Sequence, residues 1–249
     1  MPYSHPQPLD KKLAHRSIKH LLPGAMALAG AAGFVNSVVL GFFRTPVSHM
    51  SGAVSHLGGN VAEHRLSDIW ASVTIILGFL TGAALAGVMV GAWKLVPSRR
   101  YGIALIVEGF LIALGAYLLL HGRRIGLPAL SMACGLQNAL TSSYCGLMIR
   151  TTHVTGIVTD IGVMLGHWMR HGQIEYWKLR FLSFVFCAFG CGGFLGALTD
   201  VTFGPECLLV IGLIYAIAGA VFAVLVHRGV VTITPPSMPG APRSAAFPT

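Results

Sequence analysis

The sequence predicts an all-α, polytopic transmembrane helical bundle built from two homologous halves, and three observations carry that reading. The chain is 54% hydrophobic and 10% charged, where a soluble domain would have roughly a quarter of its residues charged. Its apolar residues gather into six runs long enough to cross about 30 Å of hydrocarbon at about 1.5 Å per helical residue. A ten-residue signature, His49 to Gly58, returns as His153 to Gly162. In both copies a His stands three residues before a Gly, small hydroxyl residues flank that Gly, and an ionisable residue stands seven after the His.

The elements follow in chain order. Residues 1–20 form a basic leader with Lys11, Lys12, Arg16 and Lys19 behind several prolines, and the positive-inside rule keeps it in the cytoplasm. The apolar run 21–43 exceeds the h-region of a cleaved signal peptide despite its small Ala29-Gly30-Ala31, so it belongs to the fold. Further runs occupy 69–93, 102–121, 128–149, 180–199 and 207–227. The signature stretches, 46–61 and 152–169, are shorter or more polar than a lipid-facing span. Each reads as a re-entrant half-membrane helix or as a full helix buried among its neighbours, so the count is six spans, or eight if both cross. The first membrane repeat covers 21–127 and the second 128–228. Residues 229–249 make a disordered tail whose prolines, as in Thr234-Pro235-Pro236, cannot continue a helix.

Loop charge arbitrates between the two counts. With six spans, Lys94, Arg99, Arg100, Arg170, Lys178, Arg180 and Arg228 lie inside, Asp200 and Glu206 lie outside, and Arg123 and Arg124 are misplaced. With eight, the larger cluster Lys94, Arg99 and Arg100 is stranded outside, so six is preferred. Both termini are then cytoplasmic. The net charge of +9 describes loops beside lipid headgroups, and no aromatic-interleaved basic surface points to nucleic acid.

The repeat extends beyond the signature. Ala31-Ala32-Gly33-Phe34-Val35-Asn36-Ser37 parallels Ala133-Cys134-Gly135-Leu136-Gln137-Asn138-Ala139, and Gly78-Phe79-Leu80-Thr81-Gly82 parallels Gly192-Gly193-Phe194-Leu195-Gly196. The last pair is a small-xxx-small pattern, which lets helix backbones approach closely. The final spans share little more than Gly115-Ala116 and Gly219-Ala220. A duplicated unit with an odd number of spans inserts its copies in opposite orientations, so three plus three predicts inverted repeats. Secondary transporters of that design bind solute at the repeat interface, near the midplane, on interrupted helices.

Four motifs in order, Gly33-Phe34-Val35-Asn36, His49-Met50-Ser51-Gly52, Gly135-Leu136-Gln137-Asn138-Ala139 and Thr152-His153-Val154-Thr155-Gly156, resemble the YoaK family of bacterial membrane proteins, grouped as DUF1275. The resemblance spans about residues 24 to 227. It implies a multi-span fold in a bacterial inner membrane and no particular reaction. The family carries an acidic residue where Asn36 stands here, and Asn where Ala53 stands.

The candidate solute-binding residues are His49, Ser51, Gly52, Ser55 and His56 in the first copy and His153, Thr155, Gly156, Thr159 and Asp160 in the second, with the membrane amides Asn36 and Asn138. Helical residues seven apart are separated by about 10.5 Å along the axis, so His49 and His56 cannot share one ion. Across a two-fold axis His49 can approach His153, and His56 can approach Asp160, as a pair able to take a metal ion or a proton. Hydrogen bonding to neighbouring helices is the plainer role for these groups. Glu108 is the acidic residue of its span; an intramembrane carboxyl is costly enough to mark it as a proton-coupling candidate. The odd number of cysteines, set in or beside apolar runs, implies no disulfide framework. Cys187 and Cys191, one turn apart, are read as packing residues because no further metal ligand stands near them.

His49 with Ser51 or Ser55 lacks an orienting carboxylate, and no Walker, HExxH or haem-attachment motif occurs, so the chain is not read as an enzyme and calls for no cofactor. The sequence therefore reads as a small permease-like transporter moving a small solute or ion between its repeats. The rival is a structural or regulatory membrane protein that binds another membrane protein. The bilayer is its expected partner in either case, and a homo-oligomer is compatible with both.

Overall fold

A computed structural model describes residues 11–45, 47–90, 99–140 and 153–230; Lys94, Cys145 and the Pro-rich tail lie outside them. The described residues form eight helices and no strand: α1 (Lys11–Phe43), α2 (Met50–Ala62), α3 (Leu66–Val90), α4 (Arg99–Leu120), α5 (Gly126–Leu140), α6 (Val154–His171), α7 (Tyr176–Phe203) and α8 (Cys207–His227). The described parts of the six apolar runs fall on α1, α3, α4, α5, α7 and α8, residues 91–93 and 141–149 lying outside the described residues, and the signature stretches supply α2 and α6. Five helices, α1, α3, α4, α7 and α8, are long and apolar enough to cross a membrane. The protein is thus an integral, multi-pass membrane protein. α1 starts at Lys11, inside the expected leader. Pro23 lies within it, and having no N–H it leaves a carbonyl unpaired near the junction of leader and apolar run.

The distribution of side chains is that of a protein dissolved in lipid. Leu80, Val88, Phe110 and Val201 are more than 60% exposed, while Asn36, Ser48, Ser72, Glu108, Ser131 and Gln137 are buried. Apolar groups facing outward suit hydrocarbon, and Asn36, Ser48, Ser72, Ser131 and Gln137, turned inward, have hydrogen-bond partners there that lipid cannot supply.

Three close helix pairs build the bundle: α1 with α7, α3 with α5, and α4 with α8. Glycines set each of them. Gly192 packs on the Gly30 backbone and Gly196 on Phe34, so α1 and α7 run parallel; Gly78 packs on Pro128 and Gly82 on Met132, so α3 and α5 do too. Gly102 meets Gly219 and Gly109 meets Gly212, which makes α4 and α8 antiparallel. In the absence of a hydrophobic drive between helices in lipid, such backbone contact is a principal source of association. α5 also packs against α4, and most of its fifteen residues are buried.

α2 leans on α3 and α6 on α7. α6 joins the packing through Ile157, which sits in a cluster with Ala25, Ala29, Phe181, Leu182 and Val185. It ends at Gly172 in the left-handed conformation (φ 66°), whose N–H bonds the Trp168 carbonyl at 2.8 Å, the usual way for glycine to stop a helix.

Candidate functional site

The site begins where α1 stops. Arg44 takes a left-handed backbone conformation (φ 54°) and its N–H bonds the Leu40 carbonyl at 3.1 Å, so the chain turns sharply instead of extending the helix. It then runs back into the bundle. Val47 is buried, and its carbonyl lies 2.9 Å from the Ser131 hydroxyl of α5, which is also 2.8 Å from the Ile75 carbonyl of α3. Ser48 donates to Oδ1 of Asn36 at 2.6 Å. Asn36 precedes Phe43 by seven residues, about 10.5 Å of helix, so the chain has retraced two turns of α1 by Ser48.

From there α2 sets out with His49 as its N-cap. Nδ1 of His49 is 3.0 Å from the Ser48 hydroxyl. Because that hydroxyl gives its proton to Asn36, the imidazole donates through Nδ1–H and keeps Nε2 as an acceptor. His49 lies between the helices, outside the five long ones, and burial holds its pKa below the ordinary value; desolvation disfavours the charged ring. α2 ends against Glu63, and the turn through His64 (φ 55°) leads into α3.

This fold-back leaves a cavity of about 400 Å³ at the end of the bundle where α1 finishes and α3 and α5 begin. α2 contributes Ala53, His56 and Asn60, which recur at helical spacing and so share one face. α3 contributes Asp68, Ser72 and Ile75; Leu119 and Leu127 form an apolar floor from α4 and α5. Arg44, Arg65 and Arg124 stand at its walls. Arg124 Nη1 pairs with Asp68 at 3.1 Å, and Arg65 pairs with Glu63. Nδ2 of Asn60 donates to Ser72 at 3.3 Å.

A second polar feature lies deeper. Glu108 of α4 is 1% exposed, and neither carboxyl oxygen has a hydrogen-bond partner among the described residues. It faces Tyr215 of α8 and Cys134 of α5. Gln137, on the same helix as Cys134, adjoins Tyr215 and donates to the Leu28 carbonyl at 2.7 Å.

The sequence candidates divide accordingly. His56 lines the cavity, and Asn36, through Ser48, anchors the segment that forms it. Gly52 lies in the first turn of α2 and Asn138 within α5. Ser51 and Ser55 are exposed and, at about 100° per residue, sit on the side of α2 away from the cavity face. His153 stands at the N-cap position of α6 as His49 does at that of α2, with no side-chain capping bond in either, and its ring lies against Gly156 so closely that a Cβ there would collide with the imidazole. That contact accounts for the His-x-x-Gly spacing in the second copy. Thr155, Thr159 and Asp160 are exposed on α6, with the Thr159 hydroxyl donating to the Thr155 carbonyl at 2.9 Å. Among the described residues no hydrogen bond, ion pair or ring contact joins His49 to His153 or His56 to Asp160, and no three His, Cys, Asp or Glu residues converge as metal ligands. Cys187 and Cys191 are free and exposed on α7.

Sequence reasoning missed Arg44, Ser48, Asn60, Asp68 and Ser131. Asn60 was open to discovery, being one turn beyond His56. The others become neighbours only through the fold-back.

The sequence model described as "Protein of unknown function (DUF1275)" matches residues 24–221. The chain belongs to the DUF1275 family. No curated protein and no solved structure matches it. The matched region takes in all of this DUF1275 protein's close helix pairs, the fold-back and both signature helices, so the cavity is built within the family's own domain.

Proposed function

We propose that this DUF1275 protein is a small transporter of the bacterial inner membrane, built from inverted repeats, that moves a small solute or ion. The observation that carries the reading is the polar cavity at the end of α1, a solute-sized space walled by Phe43, Arg44 and Thr45 where that helix stops and containing His56 of the signature; irregular backbone in a membrane protein is tolerated where it is buried in protein or lines a wetted cavity. The helix pairing supports the repeats. Exchanging α1, α2, α3 and α4 for α5, α6, α7 and α8 turns the α1–α7 pair into α5–α3, α2–α3 into α6–α7, and leaves α4–α8 paired with itself. The matched glycine pairs Gly78/Gly82 and Gly192/Gly196 each pack on the first helix of the other half. α1 and α5 run in opposite directions in this arrangement, as inverted copies must.

Charge supports an orientation with both termini in the cytoplasm. Arg99, Arg100, Arg170, Lys178, Arg180 and Arg228 gather at the end opposite the cavity. At the cavity end the arginines are balanced by Glu63, Asp68, Asp200 and Glu206. The larger basic excess marks the cytoplasmic side, so the cavity opens outward. Arg123 and Arg124 then need no extra spans, since Arg124 is held by Asp68.

In this reading, rocking of one half against the other about α4 and α8 carries the solute inward. Glu108, buried where those two helices meet α5, binds the coupling proton. Proteoliposomes containing the full-length protein, challenged with a panel of anionic, cationic and neutral solutes, test it. Uptake of one class, reduced at least tenfold by His56→Ala in a folded protein, is expected. If no class moves in vesicles whose protein retains its thermal unfolding transition, the transporter reading fails.

A further inference from the structure

We propose that the cavity is an oxyanion site, so that the solute is a small carboxylate- or phosphate-bearing molecule; this rests on the transporter reading for its physiological meaning but not for its chemistry. Three guanidinium groups, Arg44, Arg65 and Arg124, line the cavity against one carboxylate, Asp68. Asp68 is engaged by Arg124, and Arg65 is engaged by Glu63. Arg44 has no ion pair or hydrogen bond to its side chain among the described residues, and the left-handed turn at its own backbone plants it on the cavity wall. A guanidinium presents a planar fork of N–H donors that fits carboxylate and phosphate oxygens two at a time.

The neutral polar groups agree. Asn60 gives an amide proton to the Ser72 hydroxyl, so the Ser72 proton is free to point at a ligand, and His56 adds a ring nitrogen. The cavity offers many donors, and its one charged acceptor is already paired. A cation would meet the reverse of what it needs. The Leu119 and Leu127 floor suits a short apolar body behind the charged group.

The same donors could hold a lipid headgroup phosphate, and the test separates that source from a soluble anion. Full-length protein in purely phosphatidylcholine vesicles is titrated with succinate, inorganic phosphate, putrescine and glucose while its unfolding temperature is followed, since a ligand that binds only the native state raises it. Saturable stabilisation by succinate or phosphate, and none by putrescine or glucose, is expected. Arg44→Gln should weaken that binding about tenfold, the usual worth of one charge-assisted contact, while Arg44→Lys, which keeps the charge but not the fork, restores only part of it. Asp68→Asn, which releases Arg124, should tighten binding severalfold, a change that a merely structural carboxylate would not produce. Stabilisation by putrescine, or equal anion affinity in Arg44→Gln, overturns the proposal. Stabilisation only when phosphatidylglycerol replaces the neutral lipid assigns the site to a headgroup and overturns the soluble anion. Anion binding without uptake leaves the site standing and removes the transporter; uptake of a cation does the converse.

Discussion

Single polar groups decide how the chain is held at membrane depth. Ser131 has one proton and two carbonyls within reach, Val47 on the fold-back and Ile75 on α3. Removing the hydroxyl leaves the buried Val47 carbonyl without its side-chain donor, so Ser131→Ala should cost about 1–3 kcal/mol and loosen the segment. Thermal unfolding reads the first effect, and faster maleimide labelling of a Thr45→Cys reporter reads the second. Glu108 works in the opposite sense. A buried carboxyl with only the Tyr215 hydroxyl beside it is a stability liability, and an apolar replacement of similar size is commonly neutral or stabilising. Glu108→Leu should therefore unfold no earlier than the parent, while its solute uptake is lost. A large drop in unfolding temperature would instead make Glu108 a structural group.

At the scale of elements, the glycine faces set the helix pairs. A Cβ at Gly82 would drive into the Met132 carbonyl of α5, whereas at Gly87, a little over a turn further along α3, it would meet nothing within 4 Å. Overpacking of this kind typically costs about 1–3 kcal/mol. Gly82→Ala should thus lower stability by that order in detergent, and Gly87→Ala should leave it unchanged or slightly raised. The signature helices owe their positions to different partners. α2 is tethered at its start by the Ser48–Asn36 bond and near its end by Asn60–Ser72. α6 is held through Ile157 and presents most of its surface outward. The two helices nevertheless keep the same burial pattern, with Ala53 of α2 and Ile157 of α6 buried at matching positions, and the α2 copy lines the cavity.

For the whole molecule, the direction of each helix places the connections. The turns near His64, Gly122 and Gly204 lie at the cavity end, and those near Gly172 and Gly229 at the other. Reporter fusions at residues 64, 122 and 204 should read as external and those at 172 and 229 as cytoplasmic. An external signal at 172 together with a cytoplasmic one at 64 would reverse the orientation and place the cavity on the cytoplasmic side.

The five helices long enough to cross a membrane and the two signature helices were legible in the sequence, because length, hydropathy and spacing are local properties; of the sixth expected span, 128–149, the described residues show the fifteen-residue α5. The likeness of the glycine motifs Gly78/Gly82 and Gly192/Gly196 was legible too, but not that they pack on α5 and α1, since a partner helix is not a local property. The purpose of the His-x-x-Gly spacing was only half legible. The residues stood out, but their place at the helix starts, and the imidazole lying on Gly156, depend on where each helix begins. Arg124 shows the limit most clearly. In the sequence it is a charge on the wrong side of the membrane; in the folded chain it meets Asp68, 56 residues away.

The sequence by itself determined that this is a multi-pass helical membrane protein of the DUF1275 family with a doubled signature, because burial in lipid constrains composition along every helix. Only the tertiary structure decided that the chain turns back at Arg44, that Ser131 and Asn36 hold it there, and that a cavity with an unpaired guanidinium lies behind it. A cavity is a space between segments distant in the chain. Its walls are chosen by helix packing and by the need of buried backbone groups for partners, and no local pattern records either.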